Sequence, residues 1–190
     1  MTYCVLEGID CVGKSTQIGL LKKALDSKKI TFISEPDSSP LGPMIRKEIE
    51  SNLDHKTMFL LFLASRAALF NELRLQNPKF VISDRSLVSG VAYSDLDLEC
   101  ALELNLFATS GILPTKVVLL EISKDALSIR LKAKKQDGIE AKGLEYLLSV
   151  QTRLKSTLGL LEKKGVLVKS IDASKSIDSI HNDIKDFFDL

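Results

Sequence analysis

The chain has 190 residues, 45% of them hydrophobic and 27% charged, with a formal net charge of +1. That length and apolar content suit one globular domain with a sizeable core and exclude a disordered chain. The near-zero charge excludes the global basic field that draws nucleic acid.

The elements follow in chain order. Tyr3-Cys4-Val5-Leu6 is a short apolar run and reads as a buried strand. Directly after Glu7 stands G-x-x-x-x-G-K-S, spelled by Gly8, Gly13, Lys14 and Ser15. Gln17–Leu25 then places apolar residues at 18, 21 and 25, a helical spacing. Strand, glycine loop, helix is the setting in which this motif binds phosphate. The two glycines let the backbone turn its N–H groups inward. The helix start adds unpaired N–H groups and the positive end of its dipole. In this reading Gly8, Ile9, Asp10, Cys11, Val12, Gly13, Lys14, Ser15 and Thr16 cradle a nucleoside triphosphate. Lys14 meets the β- and γ-phosphates, and Ser15 gives its hydroxyl to Mg2+.

Ile30–Ile33 reads as a second strand, followed by the proline-broken loop Glu35–Pro40. Met44–Glu50 reads as a short helix carrying Arg46, and His55–Leu75 as a long one stopped by Asn77-Pro78. Phe80–Asp84 is a third strand, ending in an acid. Leu87–Ser94 and Leu98–Thr109 read as helices, and Lys116–Ile122 as a strand. Ser123 is placed to cap the helix Lys124–Lys132. Ala133–Gly143 is polar and lacks an apolar period. Leu144–Lys164 is helical up to Gly165, Val166–Ile171 is a fifth strand, and Ile177–Phe188 a last helix.

Five strands alternating with helices predict an α/β fold: a three-layer P-loop NTPase architecture, one domain over 1–190, with a parallel sheet covered on both faces. Ligands of such a sheet sit beyond the C-terminal strand ends, where the glycine loop, Glu35, Asp84 and Ser123 converge. Three widely spaced cysteines, Cys4, Cys11 and Cys100, imply neither a disulfide framework nor a zinc site. The longest apolar run, Met58–Ala64, is far short of a membrane span. No signal-peptide pattern opens the chain, so the expected location is the cytoplasm. A GTPase would need D-x-x-G beyond the loop and N-K-x-D, and neither is present. A small kinase acting on a small molecule remains.

Here the sequence resembles the bacterial thymidylate kinases over most of its length. Glu7-Gly8-Ile9-Asp10-Cys11-Val12-Gly13-Lys14-Ser15-Thr16 is similar to that family's P-loop. Glu35-Pro36, Pro40-Leu41-Gly42 and Ile45-Arg46 resemble its E-P-G-G-T-x-x-G-E-x-I-R segment. Phe62–Arg66 resembles its F-x-x-x-R helix. Asp84-Arg85, Ser89 and Ala92-Tyr93 resemble D-R-x-x-x-S-x-x-A-Y, and Ile171-Asp172-Ala173 a late I-D-A segment. The resemblance implies transfer of the ATP γ-phosphoryl group to dTMP, with ATP and Mg2+ as cofactors.

It also implies the site roles. Phe62 stacks on the pyrimidine and Arg66, one turn later, donates to its O4; the competing readings are a core phenylalanine and a solvated arginine. Arg46 and Arg85 hold the monophosphate, with Arg85 also catalytic, where a guanidinium fork suits phosphate oxygens. Asp10 binds the sugar 3′-hydroxyl. Tyr93 packs where a 2′-hydroxyl would sit. Glu35 lies in the loop that approaches both phosphates. Asp84 anchors Mg2+ or orients Arg85.

Several departures from the family pattern matter. Asp37-Ser38 stands where the family reads G-G, and Pro43 where it reads Glu. Gly90 stands where some members carry a polar side chain for the base N3, leaving that task to Ser89 or a water. Cys11 stands where some members carry arginine. The missing cation is then expected from a lid over about 133–143, with Arg130, Lys132, Lys134 and Lys135 at its start. Arg130 has an alternative role, packing on adenine. The chain is expected to be a homodimer through the 55–75 helix, which is apolar nearly all round. Two alternatives stay open: a related kinase acting on another nucleotide or a nucleoside, and a nucleotide-binding regulator without turnover.

Overall fold

A computed structural model describes residues 1–25, 29–51, 53–132 and 143–190. The strands β1 (Thr2–Glu7), β2 (Thr31–Ser34), β3 (Phe80–Asp84), β4 (Lys116–Glu121) and β5 (Leu167–Asp172) form one sheet in the order β2-β3-β1-β4-β5. Every pairing is parallel. The helices among the described residues are α1 (Lys14–Ala24), α2 (Gly42–Glu50), α3 (His55–Gln76), α4 (Leu87–Ala92), α5 (Leu98–Ala108), α6 (Lys124–Lys132), α7 (Leu144–Glu162) and α8 (Ile177–Phe188).

The expected elements are all present, with ends shifted by a few residues. The shift that matters is at α1. It starts at Lys14 rather than near Gln17, so Lys14, Ser15 and Thr16 are its first turn.

The central strands β1 and β4 are enclosed from both faces, and Val5, Leu6, Val117, Val118 and Leu119 are wholly buried. Such strands read as continuous apolar runs because neither face meets water. The edge strand β5 shows the opposite pattern, with Leu167, Ser170 and Asp172 exposed.

Register decides where the site forms. Leu6 pairs with Asp84, and Asp84 with Ser34. The C-terminal ends of β1, β2 and β3 therefore align, and the segments following them emerge on one edge. Asp54, Ser86, Asp97 and Ser176 cap α3, α4, α5 and α8 with side-chain oxygens. Ser123 does the same for α6, accepting from Ala126 N at 3.3 Å. Each oxygen satisfies a donor the helix start leaves unpaired. By contrast, α1 has Gly13 at its N-cap and no side-chain cap among the described residues.

No helix among the described residues is long and apolar enough to cross a membrane.

Candidate active site

The glycine loop is shaped by close approach. A Cβ on Gly8 would lie 2.8 Å from both Leu120 O and Val12 Cγ2, so β4 can pack against the loop only if residue 8 is glycine. Cys11 (φ 66°) and Gly13 (φ 101°) take left-handed conformations that turn the loop back over the start of α1. Ile9 and Val12 are buried in the core.

Lys14 Nζ donates to Gly8 O at 2.8 Å and Ile9 O at 2.7 Å. Burial, and then the neighbouring Arg85, bring its pKa down to about 8. The ammonium thus lies against the carbonyls of its own loop, at a helix start that has no side-chain cap among the described residues.

A cavity of about 380 Å³ opens over this loop, and Lys14, Ser15, Glu35, Arg46, Asp84 and Arg85 are in its wall. The P-loop, the segment after β2 and the end of β3 thus meet as the strand order predicts. Ser123 is not in that wall, contrary to expectation, because it is spent on capping α6.

Arg85 holds the far side. Its NH1 donates to Gly8 O at 3.3 Å and to Ser89 Oγ at 3.2 Å, and its NH2 pairs with Asp10. Burial opposes its charge, but Tyr93, Asp10 and Glu7 outweigh it and keep the pKa above the ordinary arginine value. The guanidinium also lies over the Tyr93 ring, 5.4 Å from its centroid, and the Tyr93 hydroxyl donates to Asp10 at 3.4 Å. Asp10, Arg85 and Tyr93 therefore form one cluster.

Glu7 ties this cluster to β1, and sequence reasoning missed it. Its carboxylate is wholly buried and accepts from Ser86 Oγ (2.7 Å), Ser89 N (3.2 Å) and Ser89 Oγ (2.6 Å). Burial raises its pKa, against the pull of Ser89 and Arg85. The available signal was an acid closing an otherwise apolar strand. Ser89, expected near the base N3, instead donates to Glu7 and accepts from Arg85.

The helix expected to read the base is α3, which carries Phe62 and Arg66. Phe62 is half-buried on α3. Phe70, on the same stripe, faces the core, where its ring meets Tyr3 edge-on at 5.8 Å. Arg66 is neither solvated nor open: 2% of it is exposed. Its Nε donates to Glu35 Oε2 at 2.9 Å, its NH2 to the same oxygen and to Ser86 O, and its NH1 to Asn105. Glu35 is thus turned into an ion pair with Arg66. Asn105 donates in turn to Ala101 O at 2.7 Å. A Cβ at Gly90 would come within 2.5 Å of Arg66 NH1 and Asn105 Oδ1, so the bare glycine makes room for this pair. Asn105 was also missed, although it is a lone amide in the apolar stretch Leu104–Ala108.

Among the basic residues near the lid, Arg130 donates to Cys11 O at 3.0 Å and Ala173 O at 2.7 Å, which pins it to the P-loop backbone. Lys132 is exposed. Lys134, Lys135 and the lid residues 133–142 lie outside the described residues.

A five-stranded parallel sheet whose first strand feeds a glycine loop and an uncapped helix start, with arginines across the cavity, defines a P-loop nucleotide-binding protein. Comparison with known proteins narrows the class. The thymidylate kinase family model matches residues 6–184. The thymidylate kinase of Campylobacter lari is 45% identical, covering 97% of this chain and 98% of its own. That of Helicobacter pylori is 43% identical over 97% of each. The crystal structure of thymidylate kinase from Ehrlichia chaffeensis superposes with a TM-score of 0.73 at 20% identity over 97% of both chains, a likeness of fold. The chain belongs to the thymidylate kinase family.

Proposed function

We infer that this chain transfers the γ-phosphoryl group of ATP to the phosphate of dTMP, giving dTDP and ADP. One observation carries the reading within its family: the loop that would hold ATP and the arginines that would hold a monophosphate, Arg46 and Arg85, line the same cavity. Phosphoryl transfer asks the protein mainly to align the two phosphates and neutralise charge. Lys14 and the first turn of α1 would take the donor phosphates, and Arg85 the acceptor phosphate and the charge developing between them. Asp10, paired to Arg85 and touched by Tyr93, would take the sugar 3′-hydroxyl.

Mg2+ fits the residues present. Asp84 has a buried Oδ1 without a hydrogen-bond partner among the described residues, and both it and Ser15 border the cavity. No group of three or more His, Cys, Asp or Glu among the described residues is set to hold a metal alone. Phosphate and water oxygens would therefore complete its shell, as Mg2+ usually requires. The bound ion would neutralise charge on the transferred phosphate.

The base-reading role of Phe62 and Arg66 is supported by their place on α3, next to the loop carrying Glu35. Since Arg66 is tied into a buried network, its part in base recognition would be played by a guanidinium held in one position. Arg130, bound to Cys11 O, would act from beside the P-loop, with Lys132, Lys134 and Lys135 as further cations of the lid. The whole chain would work as one domain in the cytoplasm.

A homodimer completes the reading. In α3, Leu60 is 53% exposed and Ala64 and Ala67 lie outside. In α5, which packs on α3, Phe107 is 87% exposed. Apolar surface of this kind favours association. Sedimentation equilibrium should give twice the 21.0 kDa chain mass; an unchanged monomer mass on concentrating would refute the dimer.

The activity is tested by ADP release with dTMP, dUMP, thymidine and AMP as acceptors. dTMP should be preferred. A preference for thymidine would make the chain a nucleoside kinase, and no release with any acceptor would make it a regulator.

A further inference from the structure

The segment after β2 holds a contact that the roles above do not use. Asp37 lies there, and its carboxylate grips Arg46 of α2. Arg46 Nε donates to Asp37 Oδ1 and Arg46 NH2 to Asp37 Oδ2, each at 2.7 Å. We propose that Asp37 is a positioning residue for the acceptor phosphate: it takes the side edge of the Arg46 guanidinium and so aims the end fork, NH1 with NH2, at the cavity.

The stereochemistry of the guanidinium carries the argument. Its five N–H groups make two forks, a side one from Nε and an NH2, and an end one from the two terminal nitrogens. A carboxylate on the side fork leaves the end fork available. Arg46 makes no other hydrogen bond among the described residues, and it borders the cavity with Lys14 and Arg85. A phosphate held there would meet Arg46 end-on and Arg85 from the P-loop side.

The frame around the pair is built for this placement. A Cβ on Gly42 would lie 2.6 Å from Pro36 O and 3.0 Å from Asp37 Cα, so glycine alone lets the start of α2 seat on residues 36–37. Arg46 stands one helical turn beyond Gly42, which brings its side chain to Asp37. The turn is held by Ser38 N to Ser34 O at 2.8 Å and Ser39 N to Pro36 O at 3.0 Å. Both side chains of the pair are about half exposed, and ion pairs in such settings add little to stability. Holding the fold is therefore not what the contact accomplishes. The bond from Arg46 keeps the Asp37 carboxyl below the usual carboxylate range, so it stays ionised at neutral pH. It also offsets the repulsion between Arg46 and Arg85.

The proposal rests on the reading that Arg46 holds the monophosphate, and the test separates the two. Steady-state kinetics are measured for wild type, Asp37→Ala, Asp37→Asn, Arg46→Ala and the Asp37→Ala/Arg46→Ala double variant. Calorimetric binding of dTMP and of thymidine, which lacks the phosphate, accompanies them. Asp37→Ala should raise KM for dTMP about threefold to tenfold, the scale of coupling between contacting residues. KM for ATP and the affinity for thymidine should not move. Asp37→Asn, which keeps one acceptor oxygen, should fall between. On the Arg46→Ala background, Asp37→Ala should change nothing further.

A lower KM for dTMP in Asp37→Ala would mean that the carboxylate competes with the phosphate, and an unchanged one that it is a spectator; either overturns the proposal. So would an equal loss of thymidine affinity. If Arg46→Ala leaves KM for dTMP unchanged, the monophosphate reading of Arg46 fails and takes the proposal with it. If Arg46→Ala raises KM and Asp37→Ala does not, only the proposal falls.

Discussion

Replacing Arg66 with alanine removes one guanidinium and strands two buried acceptors. The Glu35 carboxylate loses its partner while remaining nearly enclosed, and Asn105 Oδ1 loses its own; Ser86 O still accepts from Gly90 N. Removing one member of a buried ion pair costs about 3–5 kcal/mol, because the other charge stays out of water uncompensated. A domain of 190 residues has a total stability of roughly 5–15 kcal/mol, so Arg66→Ala consumes about a fifth of it or more. In urea unfolding followed by circular dichroism, with a slope of about 2 kcal/mol/M, the midpoint should fall by roughly 1.5–2.5 M. Most of the loss is the stranded charge. Glu35→Gln in the same chain should therefore recover about half of it, since a neutral amide is far cheaper to bury than a carboxylate. Stability and substrate affinity then separate: if Arg66 also reads the base, Arg66→Ala raises KM for dTMP more than for ATP in protein that is still folded. A loss below about 1 kcal/mol, less than a single ordinary hydrogen bond with its desolvation, would refute the buried-pair account. So would a double variant no more stable than Arg66→Ala.

Other outcomes follow from the same geometry. Lys14→Ala should lower kcat roughly 10²–10³-fold, as losing one charge-stabilising donor does, with an unchanged circular dichroism spectrum; an unfolded or near-wild-type variant would contradict the P-loop assignment. Burial brings the Lys14 pKa down to about 8, and bound phosphates would push it back up. Near and above pH 8, ATP binding should therefore take up a proton, and affinity should fall as pH rises further. Calorimetry in two buffers of different ionisation enthalpy reads the uptake directly, and Lys14→Arg should abolish it. Tyr93→Phe keeps the ring under Arg85 and loses only a 3.4 Å bond to Asp10, whereas Tyr93→Ala loses the packing as well. Activity with dTMP should therefore fall in the order wild type, Tyr93→Phe, Tyr93→Ala, and the reverse order of the two variants would remove the packing argument.

The local chain determined a great deal by itself. The P-loop was legible because its glycines, lysine and serine are contiguous and its flanking strand and helix carry their own periods. The parallel sheet was legible for the same reason: strands enclosed on both faces must be apolar runs, and Val5-Leu6 and Val117–Leu120 are such runs. Helix starts at Asp54, Asp97, Ser123 and Ser176 were open to local reading, since a cap bonds within its own turn.

Only the tertiary structure decided who meets whom across long separations. Arg66 and Glu35 are 31 positions apart, Arg66 and Asn105 are 39, and Glu7 and Ser89 are 82. No local propensity encodes those pairings, because each depends on strand order and on which helix covers which edge. That is why a solvated Arg66 read as an alternative, when the fold encloses it between α3, α5 and the segment after β2. It is also why Gly90 read as a missing polar group, when its lack of a side chain is what admits Arg66 and Asn105. A buried charge must find its counter-charge wherever the chain brings one, and that place is settled by packing rather than by sequence neighbours.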